Sequence, residues 1–308
     1  MRNQFVKSIS KIFKQNKKVN LITGDLGFGY FKEFYEKKCE QFLNIGVSEQ
    51  NMASVAAGMS MINNNVVYIY SIGNFATLRC LEQIRQDICY HNLNVNVVSM
   101  GAGFSYGSLG GSHHLLEDIS VMRSIPNMKV FLPSDERDID EILKLTSKGI
   151  GPTYMRIDKS KVLNNIIPKT NVLKPREICD GKDGYIISTG GILNDVLDCL
   201  KTLKSNYQIN LGLILLSYIN DEEYKIFKKK IKKNMNIFTV EEHSLVGGIG
   251  DYCLDIFNKR NIKYKNFNKI GVSNKSFSNV SGSQNFLKKI NKIDSLGIMK
   301  VIKKTFCV

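Results

Sequence analysis

The sequence is poor in tryptophan, in proline and in closely spaced cysteines. Its 308 residues include no tryptophan and five prolines, and none of the seven cysteines forms a Cys-x-x-Cys pair. This spread of cysteines argues against a zinc ribbon or a disulfide framework and favours reduced, buried thiols. No apolar run approaches the roughly 20 residues that a membrane-spanning helix needs, and the first residues lack the apolar core of a secretion signal. We therefore expect a globular, cytoplasmic protein without membrane contacts.

Acidic residues are also scarce: 28 Asp and Glu face 43 Lys and Arg, which leaves a formal net charge of +15. That balance raises the question of an acidic partner such as nucleic acid or phosphate. The densest basic run, Lys225–Lys233, interleaves its lysines with Ile226, Phe227 and Ile231 at spacings that allow one apolar stripe, as on a solvated surface helix. Because the chain also lacks a zinc-finger pattern, an aromatic RNA-binding signature and a dense arginine tract, we expect no nucleic-acid partner.

Strand-like and helix-like segments alternate along the chain. Buried apolar runs predict strands, and apolar residues at helical spacing predict helices between them. The predicted strands are Val19–Thr23, Val66–Tyr70, Asn94–Met100, Lys129–Leu132, Thr153–Ile157, Tyr185–Thr189, Leu211–Ser217, Ile237–Val240 and Tyr264–Ile270. The predicted helices are one around Phe5–Phe13, then Glu49–Met61, Leu81–Tyr90, Glu117–Arg123, Asp138–Thr146, Leu193–Lys204, Asp221–Lys232 and Ile249–Lys259. This order predicts an α/β fold with mainly parallel sheets covered on both faces.

One stretch interrupts the alternation. Residues 161–175 contain Pro168 and Pro175 and no periodic apolar stripe, so we expect a linker there. The chain then divides into two αβα-layered domains, residues 1–160 and 176–308. Each is long enough to bury a core of its own.

An acidic residue, Glu49, opens the predicted helix of small residues that contains Ala53, Ala56 and Ala57. An acidic side chain at this position commonly does no more than complement the helix dipole. The small residues of this helix predict that it is buried, however, and that Glu49 is therefore partly desolvated. A carboxyl group in such surroundings is suited to proton transfer.

Three further segments lie at or beyond the ends of predicted strands, where parallel sheets bind ligands. Residues 101–114 contain five glycines and end in His113 and His114, a composition more typical of a functional loop than of a structural one. Residues 71–79 carry Asn74 and Phe75, and the aromatic ring is either a core residue or a ligand platform. Arg156 lies near the end of a strand, where it forms either a structural ion pair or a contact with phosphate or carboxylate.

Taken together and in this order, these motifs resemble the C-terminal half of transketolase, which comprises a pyrimidine-binding domain and a C-terminal domain. The similarity is strongest in Gly46–Met52, Ser112–Met128 and Glu241–Gly250, and it extends over nearly the whole chain. The segment Ser71–Ile88 is particularly similar to the separate C-terminal subunits of split bacterial transketolases. The resemblance implies a transferase that moves a two-carbon ketol unit between sugars.

The resemblance also implies the cofactor, thiamine diphosphate with Mg²⁺, bound between two domains. Glu49 matches the glutamate that hydrogen-bonds the aminopyrimidine ring and exchanges a proton with it, which makes this residue catalytic. Phe75 or its neighbour Asn74 matches the position that contacts the pyrimidine. Asp25 matches an aspartate near the cofactor at the end of the first strand.

On the substrate side, His113 matches a substrate-contacting histidine with a catalytic role. Arg156 matches an arginine that binds the terminal phosphate of the sugar, and Arg2 matches a second one. The chain departs from standard transketolases at two positions. Leu109 replaces an aspartate that recognises a substrate hydroxyl, and Gly29 replaces a serine that contacts the substrate phosphate. These departures suggest a changed donor or acceptor sugar.

The sequence contains no Gly-Asp-Gly followed downstream by Asn, which is the metal and diphosphate motif of the family; Asp180-Gly181 and Asp183-Gly184 do not match it. The resemblance therefore places the Mg²⁺ and diphosphate ligands on another chain and none on this one. We expect an N-terminal subunit that carries this motif, a complex with two copies of each chain, and no activity from this chain alone.

Three other interpretations remain open from the sequence. The β subunit of a 2-oxoacid dehydrogenase shares the two-domain layout and also works with a partner chain. Deoxyxylulose-phosphate synthase shares the motifs, although normally within one long chain. From a different class, a non-catalytic basic nucleic-acid-binding protein would show DNA binding that weakens steeply with salt and does not depend on Glu49.

Overall fold

The computed structural model describes residues 1–159, 171–220, 222, 224–274 and 280–308. Within these residues the strands are Val19–Thr23 (β1), Phe42–Asn44 (β2), Val66–Ile72 (β3), Val95–Met100 (β4), Lys129–Phe131 (β5), Thr153–Ile157 (β6), Arg176–Cys179 (β7), Gly184–Ser188 (β8), Leu211–Leu215 (β9), Tyr218–Ile219 (β10), Asn236–Ser244 (β11) and Asn266–Val272 (β12). The helices are Arg2–Gln15 (α1), Lys32–Glu36 (α2), Glu49–Met61 (α3), Gly73–Ala76 (α4), Leu81–Gln83 (α5), Asp118–Ser124 (α6), Glu136–Thr146 (α7), Leu193–Tyr207 (α8), Lys225–Lys230 (α9), Ile249–Lys259 (α10), Gln284–Ile290 (α11) and Ser295–Phe306 (α12).

In the described part of the chain, the first sheet has seven strands in the order β10-β5-β6-β4-β3-β1-β2. Its pairings are parallel apart from that of β10 with β5. One face packs on α3 through side chains such as Ile69, and the other packs on α1 and α7 through side chains such as Tyr68. Because both faces are covered, the central strands are buried along their whole length.

The second sheet, again within the described residues, has five strands in the order β12-β11-β8-β9-β7. It is parallel except at the edge strand β7, which runs antiparallel to β9. Helix α10 covers one face and helices α8 and α12 cover the other. The predicted α/β class with two mainly parallel sheets is therefore confirmed.

The two sheets share one hydrophobic cluster, and a strand pairing and an ion pair also connect them. Strand β10, which follows β9 of the second sheet, crosses over and pairs antiparallel with β5 of the first, where Tyr218 stacks on Phe131 with ring centroids 4.7 Å apart. A buried, two-pronged ion pair joins Arg176 of β7 to Asp138 of α7, with N–O distances of 2.7 and 2.8 Å. The proposed bounds of the two domains remain a prediction, and most of the proposed linker, residues 161–170, lies outside the described residues.

Several element bounds differ from the sequence-based ones. The helix expected over Leu81–Tyr90 is one α-helical turn followed by a π-helix at Ile84–Cys89, a form that recurs at functional sites. The helix expected from Asp221 begins at Lys225, and Asp221 itself lies outside the described residues. No helix in the described part of the chain is both long and apolar enough to cross a membrane.

Candidate functional site

The residues selected from the sequence lie mostly along one edge of the first sheet. Asp25 follows β1, Phe75 follows β3, His113 lies in the loop after β4, and Glu49 begins the helix that follows β2. The carboxyl ends of parallel strands meet at a common edge, and loops at that edge form the ligand crevice of open α/β sheets. The topology therefore collects these side chains at one site although up to 88 positions separate them in the chain.

Glu49 is the buried acid of the site, with an exposed fraction of 2%. The Ser71 hydroxyl donates to Oε1 at 3.0 Å, and Nη1 of Arg79 donates to Oε2 at 2.7 Å. Gly24 lies against the same carboxylate, since a Cβ built on Gly24 would be 3.4 Å from Oε1. The carboxylate is thus held at the first turn of α3, where the helix dipole favours negative charge, and the cation of Arg79 covers it on the open side of the site.

Phe75 is linked to this carboxylate through Arg79. The guanidinium carbon of Arg79 lies over the ring of Phe75, 3.9 Å from its centroid, so the same cation contacts both Phe75 and Glu49. The ring of His113 meets Phe75 edge-on with centroids 5.1 Å apart. These contacts join four side chains into one continuous polar and aromatic surface: Glu49, Arg79, Phe75 and His113.

Asn74 has a different task from Phe75. Its side-chain amide donates to the backbone carbonyls of Ser112 at 3.0 Å and His114 at 2.8 Å, one on each side of His113. These two hydrogen bonds hold the end of the glycine-rich loop against α4. The pKa of His113 is lowered by desolvation first and then by the charges of His114 and Arg79, so the ring is neutral at pH 7 and can accept or donate a hydrogen bond.

Asp25 stands at the exposed edge of the site, in a left-handed backbone conformation with φ of 56°. The side chain of Asn44 accepts from the Asp25 backbone N–H and donates to its Oδ1, both at 2.9 Å. This pairing across the ends of β1 and β2 fixes the Asp25 carboxylate at the rim.

Two basic side chains lie near each other beyond the glycine-rich loop. Arg2 donates to the Tyr30 hydroxyl and lies 3.5 Å over its ring, while Nζ of Lys159 lies 3.4 Å over the ring of Tyr106. Partial desolvation lowers the pKa of Lys159, and the charge of Arg2 lowers it further. Tyr106 in turn lies 6.4 Å from His113, centroid to centroid. We call Arg2 and Lys159 the basic pair.

Arg156 lies in the interior instead of at the edge of the site, with an exposed fraction of 5%. Its Nε donates to Oδ2 of Asp118 at 2.7 Å, and its Nη2 donates to the backbone carbonyls of Leu115 and Glu242 at 3.0 and 2.9 Å. The Tyr154 hydroxyl donates to the same Asp118 oxygen. The guanidinium group is thus engaged with protein acceptors on several sides.

Comparison with known proteins decides the family. Residues 1–164, more than half of the chain, match the model of the transketolase pyrimidine-binding domain. The chain belongs to the transketolase family. A protein of Methanocaldococcus jannaschii with the provisional name transketolase C-terminal section is 31% identical over 307 residues, which cover 98% of this chain and 95% of that protein.

Two further likenesses concern separate transketolase subunits. One subunit of the apulose-4-phosphate transketolase of Phocaeicola vulgatus is 28% identical over 258 residues, which cover 81% of this chain and 80% of that one. The solved structure of a split-gene transketolase, an inactive β4 tetramer, superposes with a TM-score of 0.85 at 25% identity and covers 98% of this chain and 97% of that chain. The predicted resemblance to the C-terminal half of transketolase is therefore confirmed.

The chain is also similar to longer single-chain enzymes. 1-Deoxy-D-xylulose-5-phosphate synthase of Halothermothrix orenii is 27% identical over 305 residues, which cover 96% of this chain and 46% of the synthase. The similarity therefore extends along nearly all of this chain but along less than half of that enzyme.

Within this transketolase-family chain, one assigned role needs correction. Arg156 was expected to bind the terminal phosphate of a sugar, but its guanidinium is buried in a pair with Asp118 and donates to two backbone carbonyls. The physical reason is that β6 is buried on both faces, so a side chain within it points into the interior whichever face it takes. We therefore assign Arg156 a structural role.

Three residues of the site were not assigned from the sequence: Ser71, Arg79 and Lys159. Arg79 follows Phe75 by four positions, a spacing that would place both side chains on one face of a helix, although α4 ends at Ala76 and Arg79 lies in the following 3₁₀ turn. Lys159 is the first basic residue beyond the end of β6, at the edge of the sheet where ligands bind. Both signals were available in the sequence, whereas the contact of Ser71 with Glu49 depends on how β3 and α3 pack.

The described residues contain no group of three or more His, Cys, Asp or Glu side chains placed to hold a metal ion. The carboxylates at the site, Glu49 and Asp25, have Arg79 and Asn44 as their respective partners. What the described part of the site provides is thus a buried acid, an aromatic face, a neutral histidine and a basic pair.

Proposed function

We propose that this chain is the C-terminal subunit of a two-chain, thiamine-diphosphate-dependent transketolase that moves a two-carbon ketol unit between sugars. The observation that supports this function is that a buried carboxylate, Glu49, and the ring of Phe75 contact the same flat guanidinium group, that of Arg79, at the open edge of the first sheet. A catalyst of this kind needs a proton-transferring acid next to a flat aromatic surface.

The site suits the aminopyrimidine ring of the cofactor. The guanidinium of Arg79 is itself flat and nitrogen-bearing, and it contacts both Phe75 and Glu49. Glu49 would bind a ring nitrogen and exchange a proton with it, while Ser71 keeps the carboxylate in place. Arg79, whose side chain is 41% exposed, has room to swing toward solvent. When bound, the cofactor would supply the carbon nucleophile that breaks and forms carbon–carbon bonds next to a carbonyl.

The Mg²⁺ and diphosphate ligands are proposed to lie on a partner, because the sequence lacks Gly-Asp-Gly followed by Asn. The partner would be an N-terminal transketolase subunit, and we propose a complex with two copies of each chain. The names of the relatives, a C-terminal section in one case and a lettered subunit in the other, support this division of the enzyme between chains.

Reconstitution tests the proposed function. This chain is co-expressed with the chain of the same genome that carries the Gly-Asp-Gly motif, and ketol transfer and thiamine diphosphate binding are measured for each chain and for the mixture. We expect activity from the mixture and none from either chain alone. Full activity from this chain alone would contradict the split enzyme.

The basic pair is proposed to bind the phosphate of a phosphorylated sugar. Arg2→Ala or Lys159→Ala in the reconstituted enzyme should raise the KM for such a sugar about 10- to 100-fold, because a hydrogen bond to a charged group contributes about 1.5–3 kcal/mol. The KM for the unphosphorylated sugar should stay the same. Lys7→Ala, which removes an exposed lysine from the same helix as Arg2, is the matched control. Equal KM values in both variants and wild type would exclude this phosphate site.

A second candidate follows from the similarity to 1-deoxy-D-xylulose-5-phosphate synthase. Because this chain spans less than half of that enzyme, such an activity would also require a partner. An assay of the same reconstituted mixture for 1-deoxy-D-xylulose 5-phosphate separates the two candidates, since a ketol transferase does not form that product.

A further inference from the structure

The segment Glu241–Ser244, at the end of β11, has no part in the proposed chemistry although it belongs to one of the motifs most similar to the family. Strand β11 is buried along its whole length. Its pairing with β8 ends at Val240, and its register with β12 shifts between Val240 and Ser244. The last four residues therefore leave β8, stay beside β12 as far as the pairing of Ser244 with Val272, and contact the first half of the chain.

Two side chains of this segment hold the starts of helices. Glu241 accepts from the backbone N–H groups of Ile249 at 2.8 Å and Gly250 at 3.0 Å, the first residues of α10. Nε2 of His243 accepts from the N–H of Ile119 in the first turn of α6 at 3.2 Å, so Nδ1 carries the proton and donates to the Ser244 carbonyl at 2.8 Å. Burial lowers the pKa of His243 to about 4, which keeps the ring neutral.

Glu242 contacts a different target, the glycine-rich loop that carries His113. Its Oε1 accepts from the backbone N–H of Phe104 at 2.6 Å. Gly103 has φ of 57°, and a Cβ built on it would lie 2.5 Å from Cγ and Oε1 of Glu242. The carboxylate side chain therefore packs directly on the backbone at Gly103, where only glycine leaves room for it.

A second residue, Gln284, also binds the Glu242 carboxylate. The amide of Gln284, the first residue of α11, donates to both carboxylate oxygens at 3.0 and 3.1 Å. With an exposed fraction of 4%, Glu242 is thus fixed between the second half of the chain and the loop. Burial raises the pKa of Glu242 to about 7, whereas the hydrogen bonds from Phe104 and Gln284 favour its ionised form.

Glu242 contacts the glycine-rich loop at the point where its two ends meet, the pair of Gly103 and Leu115. We call this pair the neck of the loop. Gly103 and Leu115 exchange two backbone hydrogen bonds, at 3.0 and 2.9 Å, and so close residues 104–114 into a loop. The ring of Phe104 lies in the core of the second sheet, and the N–H of Gly282 donates to the Gly107 carbonyl at 3.1 Å. The loop that presents His113 is therefore anchored on residues of the C-terminal part of the chain.

We propose that Glu242 is a positioning residue that holds the neck of this loop and thereby sets the place of His113 at the substrate side of the site. It acts through Phe104 and Gly103 and does not itself reach the site. Residues of the second half of the chain would thus position a loop at the edge of the first sheet. The kinetic part of the test below rests on the proposed function, whereas the structural part does not.

Backbone amide hydrogen exchange of the full-length chain tests the anchoring directly. In Glu242→Ala, the amides of peptides covering residues 103–115 should exchange about 10- to 100-fold faster, because the buried backbone N–H of Phe104 is left without its acceptor. Peptides covering β8 should exchange at the wild-type rate. Glu242→Gln, whose amide oxygen can still accept from Phe104, should restore most of the protection. Unchanged exchange of residues 103–115 in Glu242→Ala would overturn the assignment.

A milder variant decides the matter if Glu242→Ala does not fold. Gln284→Ala leaves the carboxylate in place but removes its brace, so it should speed exchange in residues 103–115 by a smaller factor; no change there would also overturn the role of Glu242. In the reconstituted enzyme, Glu242→Ala or Gln284→Ala should raise the KM for the sugar while thiamine diphosphate affinity stays at the wild-type value. An inactive wild-type mixture would count against the proposed function, and the exchange data would still decide the role of Glu242.

Discussion

Replacing Glu49 by Gln should lower kcat of the reconstituted enzyme by about 10²- to 10⁴-fold, the range that proton transfer by a positioned side chain contributes. Gln keeps the shape of the side chain, can accept from Arg79 through its oxygen, and can donate to the Ser71 hydroxyl through its nitrogen. The fold should therefore persist, and the loss should fall on the proton exchange that only a carboxyl group supports.

The measurement is kcat of the mixed subunits, together with the thermal midpoint of the isolated variant chain. Glu36→Gln removes an exposed carboxylate at the end of α2 and serves as the control, with wild-type turnover expected. Wild-type turnover in Glu49→Gln would remove the proposed catalytic role and, with it, the observation that carries the proposed function.

Replacing Arg156 by Ala should destabilise the chain by about 3–5 kcal/mol, because it leaves the Asp118 carboxylate buried without its cation. Asp118 has an exposed fraction of 0%, and its Oδ1 has no hydrogen-bond donor among the described residues. The same guanidinium also links the carbonyls of Leu115 and Glu242, so the contact between the two halves of the chain should weaken with it.

Chemical denaturation monitored by circular dichroism measures this loss. Arg85→Ala, at an exposed position of the π-helix, should change stability by less than about 0.5 kcal/mol, as most surface substitutions do. If Arg156→Ala were as stable as wild type but bound phosphorylated sugars poorly, the phosphate role expected from the sequence would be reinstated.

The regular elements of this chain could be predicted closely where the pattern is long and local. Val19–Thr23, Glu49–Met61, Thr153–Ile157 and Ile249–Lys259 have the expected bounds, because a run of apolar residues or a helical stripe favours the element before any tertiary contact forms. Short edge strands are different. Phe42–Asn44 and Tyr218–Ile219 are too short for a period, and they exist because a neighbouring strand offers hydrogen bonds to them.

The site was predicted to the level of its loops but not of each side chain. The rule that ligands bind beyond the carboxyl ends of parallel strands located Asp25, Glu49, Phe75 and His113 together. The same rule misplaced Arg156, since a residue within a strand covered on both faces points inward.

By itself the sequence determined the α/β order, the family and the presence of a carboxyl group at the start of α3, since these depend on composition, local period and motif. Tertiary structure alone decided which cations meet which carboxylates: Arg79 on Glu49, Arg156 on Asp118 and Arg176 on Asp138. The large excess of basic residues says nothing about these pairs. Each forms because packing removes the carboxylate from water, and a buried carboxylate needs a partner.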